Sequence, residues 1–254
     1  MQKATLGRVY VWEIPVRFYH WLNAFSLVVL CVTGYLIGAP LAIQQATEAS
    51  FAYWFGKVRF IHFVFAYIFF FNFLFRIYWG FAGNRFASWK NFIPFRKKQW
   101  QEIKQVIAVD VLQRDNTPIE TIGHNAVAGF TYFLTFLAFL FQCITGFGMY
   151  AAMSTSWFPK LFAWVVPLMG GDFAVRQWHH VMLWFFLVFS MVHVYLVFYH
   201  DYVEGHGVLS SMVGGWKFME KEKIEAEEAT GISGLPTRKA KTVPPGAKSR
   251  PLTP

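Results

Sequence analysis

Four stretches of the chain carry no Asp, Glu, Lys or Arg: Phe18 to Thr47, Phe60 to Phe75, Thr121 to Pro159 and Gln177 to His200. A helix needs about 20 apolar residues to cross the roughly 30 Å hydrocarbon core of a bilayer. The second stretch is short for this, but it continues past Arg76 through IYWGFAG, and a long Arg side chain reaches the interface by snorkelling. The pattern predicts four transmembrane helices, an all-α integral membrane bundle over residues 1–220. Between the second and third spans, KNFIPFRKKQWQEIKQVIAVDVL mixes aromatic with basic residues and reads as an amphipathic helix lying on the inner membrane surface. From Lys221 the composition turns to charge, Pro and Gly, which predicts a disordered cytoplasmic tail over 221–254.

Composition supports the membrane reading. Of 254 residues, 56% are hydrophobic and 15% charged, against about 25% charged in a typical soluble domain. The 23 Lys and Arg are distributed unevenly: three lie up to Arg17, eight between Arg76 and Glu120, and eight after His200. The two remaining loops hold only Lys57, Arg59, Lys160 and Arg176. Positive residues near spans are retained in the cytoplasm, so both termini are expected there, in the inner membrane of a bacterium. The net charge of +9 then reflects topology and contact with anionic lipid, not nucleic-acid binding. Residues 1–17 are polar, and the first apolar stretch is long enough to stay as a signal anchor.

The histidines change the picture from a generic bundle to a candidate redox protein. His179 and His193 share the fourth span, 14 residues apart. At about 100° and 1.5 Å per residue, they fall within about 40° on one helix face and roughly 21 Å apart along it. One helix therefore serves two sites near opposite leaflets. The second span enters from outside near Arg59 and the fourth near Arg176, which puts His62 and His179 at the outer leaflet. The first span enters from the cytoplasm, so His20 meets His193 near the inner face. A single histidine at a helix end is usually an interfacial residue, but four ionisable groups at matched depths inside spans point to function. Paired imidazoles at each level predict two haem groups with closed axial coordination, suited to electron transfer. With no CxxCH sequence, any haem is b-type. His180 points about 140° away from His193 and is read as interfacial or facing another helix. His124, His200 and His206 fall at or beyond the cytoplasmic edge, where His124 is the candidate border of a quinone pocket.

Internal echoes agree with this pairing. Arg59-Phe-Ile-His62 opens the second span as Arg176-Gln-Trp-His179 opens the fourth, and CVTGY at Cys31 to Tyr35 is repeated as CITGF at Cys143 to Phe147. Duplication and chance in a biased alphabet both explain the echo. Gly34 and Gly146, inside these repeats, suit a macrocycle that needs backbone close by, and equally suit ordinary helix packing. Arg17, Arg59 and Arg176 are placed to pair with haem propionates or to mark the membrane boundary. Cys31 and Cys143 read as small buried apolar residues, with a disulfide between them left open.

RFYHWLNAFSLVVLCVTG (Arg17 to Gly34) and RQWHHVMLWFFLVFSMVH (Arg176 to His193) resemble the two signatures of the cytochrome b subunit of membrane-bound nickel-iron hydrogenases. RIYWGFAGNR, GHNAVA and SSMVGGWKF extend the resemblance over roughly residues 8–220. It implies a di-haem membrane anchor that takes electrons from the periplasmic hydrogenase small subunit, and through it the large subunit, and passes them to quinone. The implied iron ligands are His20, His62, His179 and His193. Such a subunit belongs to a hydrogen:quinone oxidoreductase without performing hydrogen chemistry itself. The alternatives are the equivalent subunit of a formate dehydrogenase or sulfur-compound reductase, and a haem-free transporter or scaffold whose histidines form a proton path.

Overall fold

A computed structural model describes residues 6–41, 53–89, 92, 100–101, 103–104, 126–205, 207–222 and 224–225. Its long elements are α1 (Ile14–Gly38), α2 (Trp54–Ala82), α3 (Ala126–Ala151) and α6 (Asp172–Glu204). Short helices α4 (Trp157–Lys160) and α5 (Val165–Leu168) fold the turn before α6, and α7 (Val208–Gly214) follows it. Two strands, β1 (Leu6–Tyr10) and β2 (Trp216–Glu220), flank this set.

Local chemistry sets the ends of these helices. Pro15 in the first turn of α1 supplies a helical φ where its missing N–H costs nothing. Asp172 puts a negative charge on the positive N-terminal end of α6, and Gly205, at φ 65°, closes the other end in the left-handed conformation. All four long helices are apolar and long enough to cross a membrane, as the sequence predicts. At about 1.5 Å per residue they run roughly 38 to 50 Å, longer than the hydrocarbon core. Large apolar side chains such as Val181, Trp184, Val188, Met191 and Val192 lie exposed along α6, as expected of a surface whose solvent is lipid.

The bundle is built from two hairpin-like pairs, α1 on α2 and α3 on α6. Aromatic side chains join them at mid-height. Phe69 of α2 meets Phe139 of α3 edge-on at 4.9 Å, and Phe139 stacks on the buried Phe186 of α6 at 5.0 Å.

The strands are an addition to the helical bundle. They pair antiparallel from Leu6↔Glu220 to Tyr10↔Trp216, so the segment before α1 and the segment after α7 meet at one end of the bundle, here the near end. Val9, Val11, Trp12, Val16, Phe86, Ala87 and Met219 form a small core there, with Ile224 packed against it. Trp12 Nε1 donates to Ser211 Oγ at 3.1 Å. Glu13 Oε2 accepts from Trp79 Nε1 at 3.0 Å and from the backbone N–H of Asn84 at 2.9 Å, tying the start of α1 to the end of α2. Alternation along WKFME places Lys217 and Met219 on the buried face.

Most of the region expected to form the surface helix, and the chain beyond Glu225, lie outside the described residues.

Candidate functional site

At the far end, opposite the sheet, two helix pairs present the same arrangement. His62 of α2 lies against α1, with Nδ1 at 2.8 Å from Thr33 Oγ1. His179 of α6 lies against α3, with Nδ1 at 2.9 Å from Thr145 Oγ1. Beside each threonine is a glycine. A Cβ on Gly34 would sit 3.4 Å from Cε1 of His62, and one on Gly146 would sit 3.1 Å from Cε1 of His179. Each imidazole thus rests edge-on against a Thr-Gly dipeptide of the neighbouring helix. The two CxTGx echoes of the sequence are the same structural device used twice.

Both histidines line one cavity of about 630 Å³ enclosed by all four long helices. Cys31 and Cys143 line it as well, and both are free thiols. Gln142 donates through Nε2 to the His179 carbonyl at 3.2 Å, while its buried Oε1 has no protein partner. His180 also reaches this cavity: it faces α1, where a Cβ on Gly38 would come within 2.6 Å of its ring. Facing another helix was one of its two expected placements.

At the near end, the rings of His20 and His193 are 6.3 Å apart between centroids. Phe189 stacks on His193 at 5.7 Å and 11°, and Tyr132 meets it edge-on at 6.2 Å. Trp21 meets His20 edge-on at 5.2 Å. No hydroxyl serves His20: its buried Nδ1 has no hydrogen-bond partner. Two guanidinium groups border this end. Arg17 donates to the Val213 carbonyl and keeps a buried Nε without a partner. Arg76 stands over the rings of Tyr19, Trp89 and Phe92 at 4.8 to 5.4 Å, with a buried, unpartnered Nη1. Arg76 is half-buried in an aromatic box, where cation–π contact favours its guanidinium.

The structure places His62 and His179 around one cavity and His20 beside His193, the two pairs expected from topology. Arg59 and Arg176 both border the far cavity. Arg59 contacts Met153 Sδ at 3.1 Å, and Arg176 pairs with Asp172 at 2.5 Å across one helical turn. His124 lies outside the described residues. Sequence reasoning passed over Thr33, Thr145, Gln142 and the aromatic neighbours of Arg76. The threonines stand in the middle of the repeated pentapeptides, where the echo already pointed.

Among the described residues, no group of three or more His, Cys, Asp or Glu gathers as a self-sufficient metal site. Two facing imidazoles suit a metal whose remaining ligands arrive with it, as in a haem. The far cavity fits such a group on several counts. It is large and mostly apolar, its two glycines keep side chains off the imidazole edges, and two cations stand at its border.

Comparison with known proteins places the chain in a family. The profile described as prokaryotic cytochrome b561 matches residues 11–215, and the chain belongs to that family. It is 41% identical over 219 residues to a probable Ni/Fe-hydrogenase B-type cytochrome subunit of Azotobacter vinelandii, covering 85% of this chain and 90% of the relative. A protein of the same description from Cupriavidus necator is 42% identical over 217 residues, 84% and 88% of the two chains. The probable Ni/Fe-hydrogenase 1 B-type cytochrome subunit of Escherichia coli K12 is 35% identical over 224 residues, 86% and 94% of the two chains.

Proposed function

We propose that this chain is the di-haem b-type cytochrome subunit of a membrane-bound nickel-iron hydrogenase, carrying electrons from a periplasmic small subunit to quinone. The observation that carries the reading is the placement of two imidazole pairs at opposite ends of one bundle, both drawing on α6. The descriptions of its relatives supply the hydrogenase. Seventeen of the 23 Lys and Arg fall before α1, between α2 and α3, and after α6, and Arg17 and Arg76 lie in the adjoining turns of α1 and α2, so in this reading the near end is cytoplasmic and the far end periplasmic.

In this reading His62 and His179 hold the far haem and His20 and His193 the near one. Haem b, held by these imidazole pairs, would supply reversible one-electron chemistry. The protein does the rest. Cavity walls such as Leu183, Phe147 and Phe186 exclude water from the far site, and the Phe69, Phe139 and Phe186 layer fills the space between levels. Arg59 and Arg176 at the far end, and Arg17 at the near end, offer charge-assisted hydrogen bonds to propionates. Quinone is assigned to the near end, with His124 as its candidate border.

Optical spectra of membranes with and without the gene test this. Exposure to hydrogen should reduce gene-dependent b-haem bands. Bands that respond only to formate or another donor would move the chain to a different complex, and gene-dependent bands absent even with dithionite would refute the haem assignment.

A further inference from the structure

The hydroxyl protons of Thr33 and Thr145 are already committed. Thr33 Oγ1 donates to the Val29 carbonyl at 2.6 Å, four residues back along α1, and Thr145 Oγ1 donates to the Phe141 carbonyl at 2.8 Å, four back along α3. A hydroxyl has one proton, so toward the imidazole each oxygen is left only its acceptor role. Its neighbour at 2.8 to 2.9 Å must then be a protonated Nδ1. That fixes the tautomer of both rings, leaving the lone pair on Nε2. The adjacent glycine acts with the threonine. At 3.4 and 3.1 Å from the positions a Cβ would take, Cε1 of each ring lies against the helix backbone, which restricts rotation about the Nδ1 hydrogen bond.

We propose that Thr33-Gly34 and Thr145-Gly146 are paired imidazole cradles: positioning residues that hold His62 and His179 with Nε2 free for iron and tune the potential of the far haem alone. The inference rests on the axial assignment made above and adds to it the group that sets the ligand's protonation and orientation. A hydrogen bond from Nδ1–H to an oxygen makes the imidazole more basic and favours the more oxidised metal. The near pair has no equivalent, since His20 Nδ1 has no hydrogen-bond partner and the rings around His193 are aromatic. Among the described residues, the two levels therefore differ by a device present at one end.

The test is a redox titration of the full-length, haem-loaded protein, following both b-haem components optically, with low-spin ferric EPR to report imidazole orientation. Thr33→Val and Thr145→Val keep side-chain shape and remove the hydroxyl. Each should raise the midpoint potential of one component and alter its EPR signal, leaving the other unmoved, and Thr33→Ser or Thr145→Ser should restore both. Loss of one haem in the Val variants with retention in the Ser variants would support the cradle as well. Unshifted potentials at full haem content would overturn it, as would equal haem loss in Val and Ser variants, which would mark a packing role. His62→Ala and His179→Ala are run alongside. If neither removes a haem, the axial assignment fails independently of the threonines.

Discussion

The far and near ends of the bundle hold their histidine pairs by different means. At the far end each ring has a hydrogen-bonded threonine, a glycine to rest against and a place in one four-helix cavity. At the near end, aromatic rings surround the imidazoles, and polar atoms of His20, Arg17 and Arg76 remain buried without protein partners. A buried polar group without a partner costs on the order of 1–3 kcal/mol. The far histidines are held by hydrogen bonds from the protein itself, with Gln142 Oε1 as the one unpartnered atom named there, whereas the near histidines stand among several such atoms.

Replacing histidines tests this contrast most strongly. His179→Ala should remove the far haem and His193→Ala the near one, each lowering haem content by about half, as read by a pyridine haemochrome assay. Equal retention in both variants would break the comparison at its root. The next largest effect is expected from Arg76→Leu, which removes a cation with an unpartnered Nη1 beside the near pair. It should weaken haem retention at the near level during detergent washing and leave the far level intact, as followed by the two spectral components.

A smaller effect separates the two far cradles. Gly146→Ala places its methyl 3.1 Å from the His179 ring, while Gly34→Ala meets His62 at 3.4 Å, an ordinary contact. EPR of the far haem should therefore change more in Gly146→Ala. A reversed order would show that the helices relax differently from their packing. Smallest in redox terms is Glu13→Ala, which leaves Trp79 Nε1 and the Asn84 N–H without their acceptor. It should destabilise the near-end core by about 1–3 kcal/mol, measured as a lower thermal midpoint, with both midpoint potentials unchanged.

Much of this was legible in the sequence, because the bilayer imposes simple rules. Uncharged runs gave the four spans, and the fourth run put His179 and His193 on one helix, 14 residues apart. What escaped required knowledge of which helices face each other. Mid-helix threonines ordinarily bond back to their own helix, as Thr33 and Thr145 do, and nothing in one sequence says that the same oxygen also meets a ring from the next helix. The small sheet was hidden for a related reason. Five residues of alternating burial before the first helix and after the last are too short to announce a strand, and the two partners lie almost a whole chain apart in sequence. Arg76 was read from its length, and only the aromatic neighbours brought by other segments decide where it goes.

That sheet also has a consequence for biogenesis. Trp12 and Ser211, which meet beside it, are 199 residues apart, an interval that takes roughly 10–40 s to synthesise at about 5–20 residues per second. Throughout that time the partner strand of β1 has yet to be made. It emerges only after the last span has been delivered. Closure of the two strands thus ties the part of the membrane domain made first to the part made last.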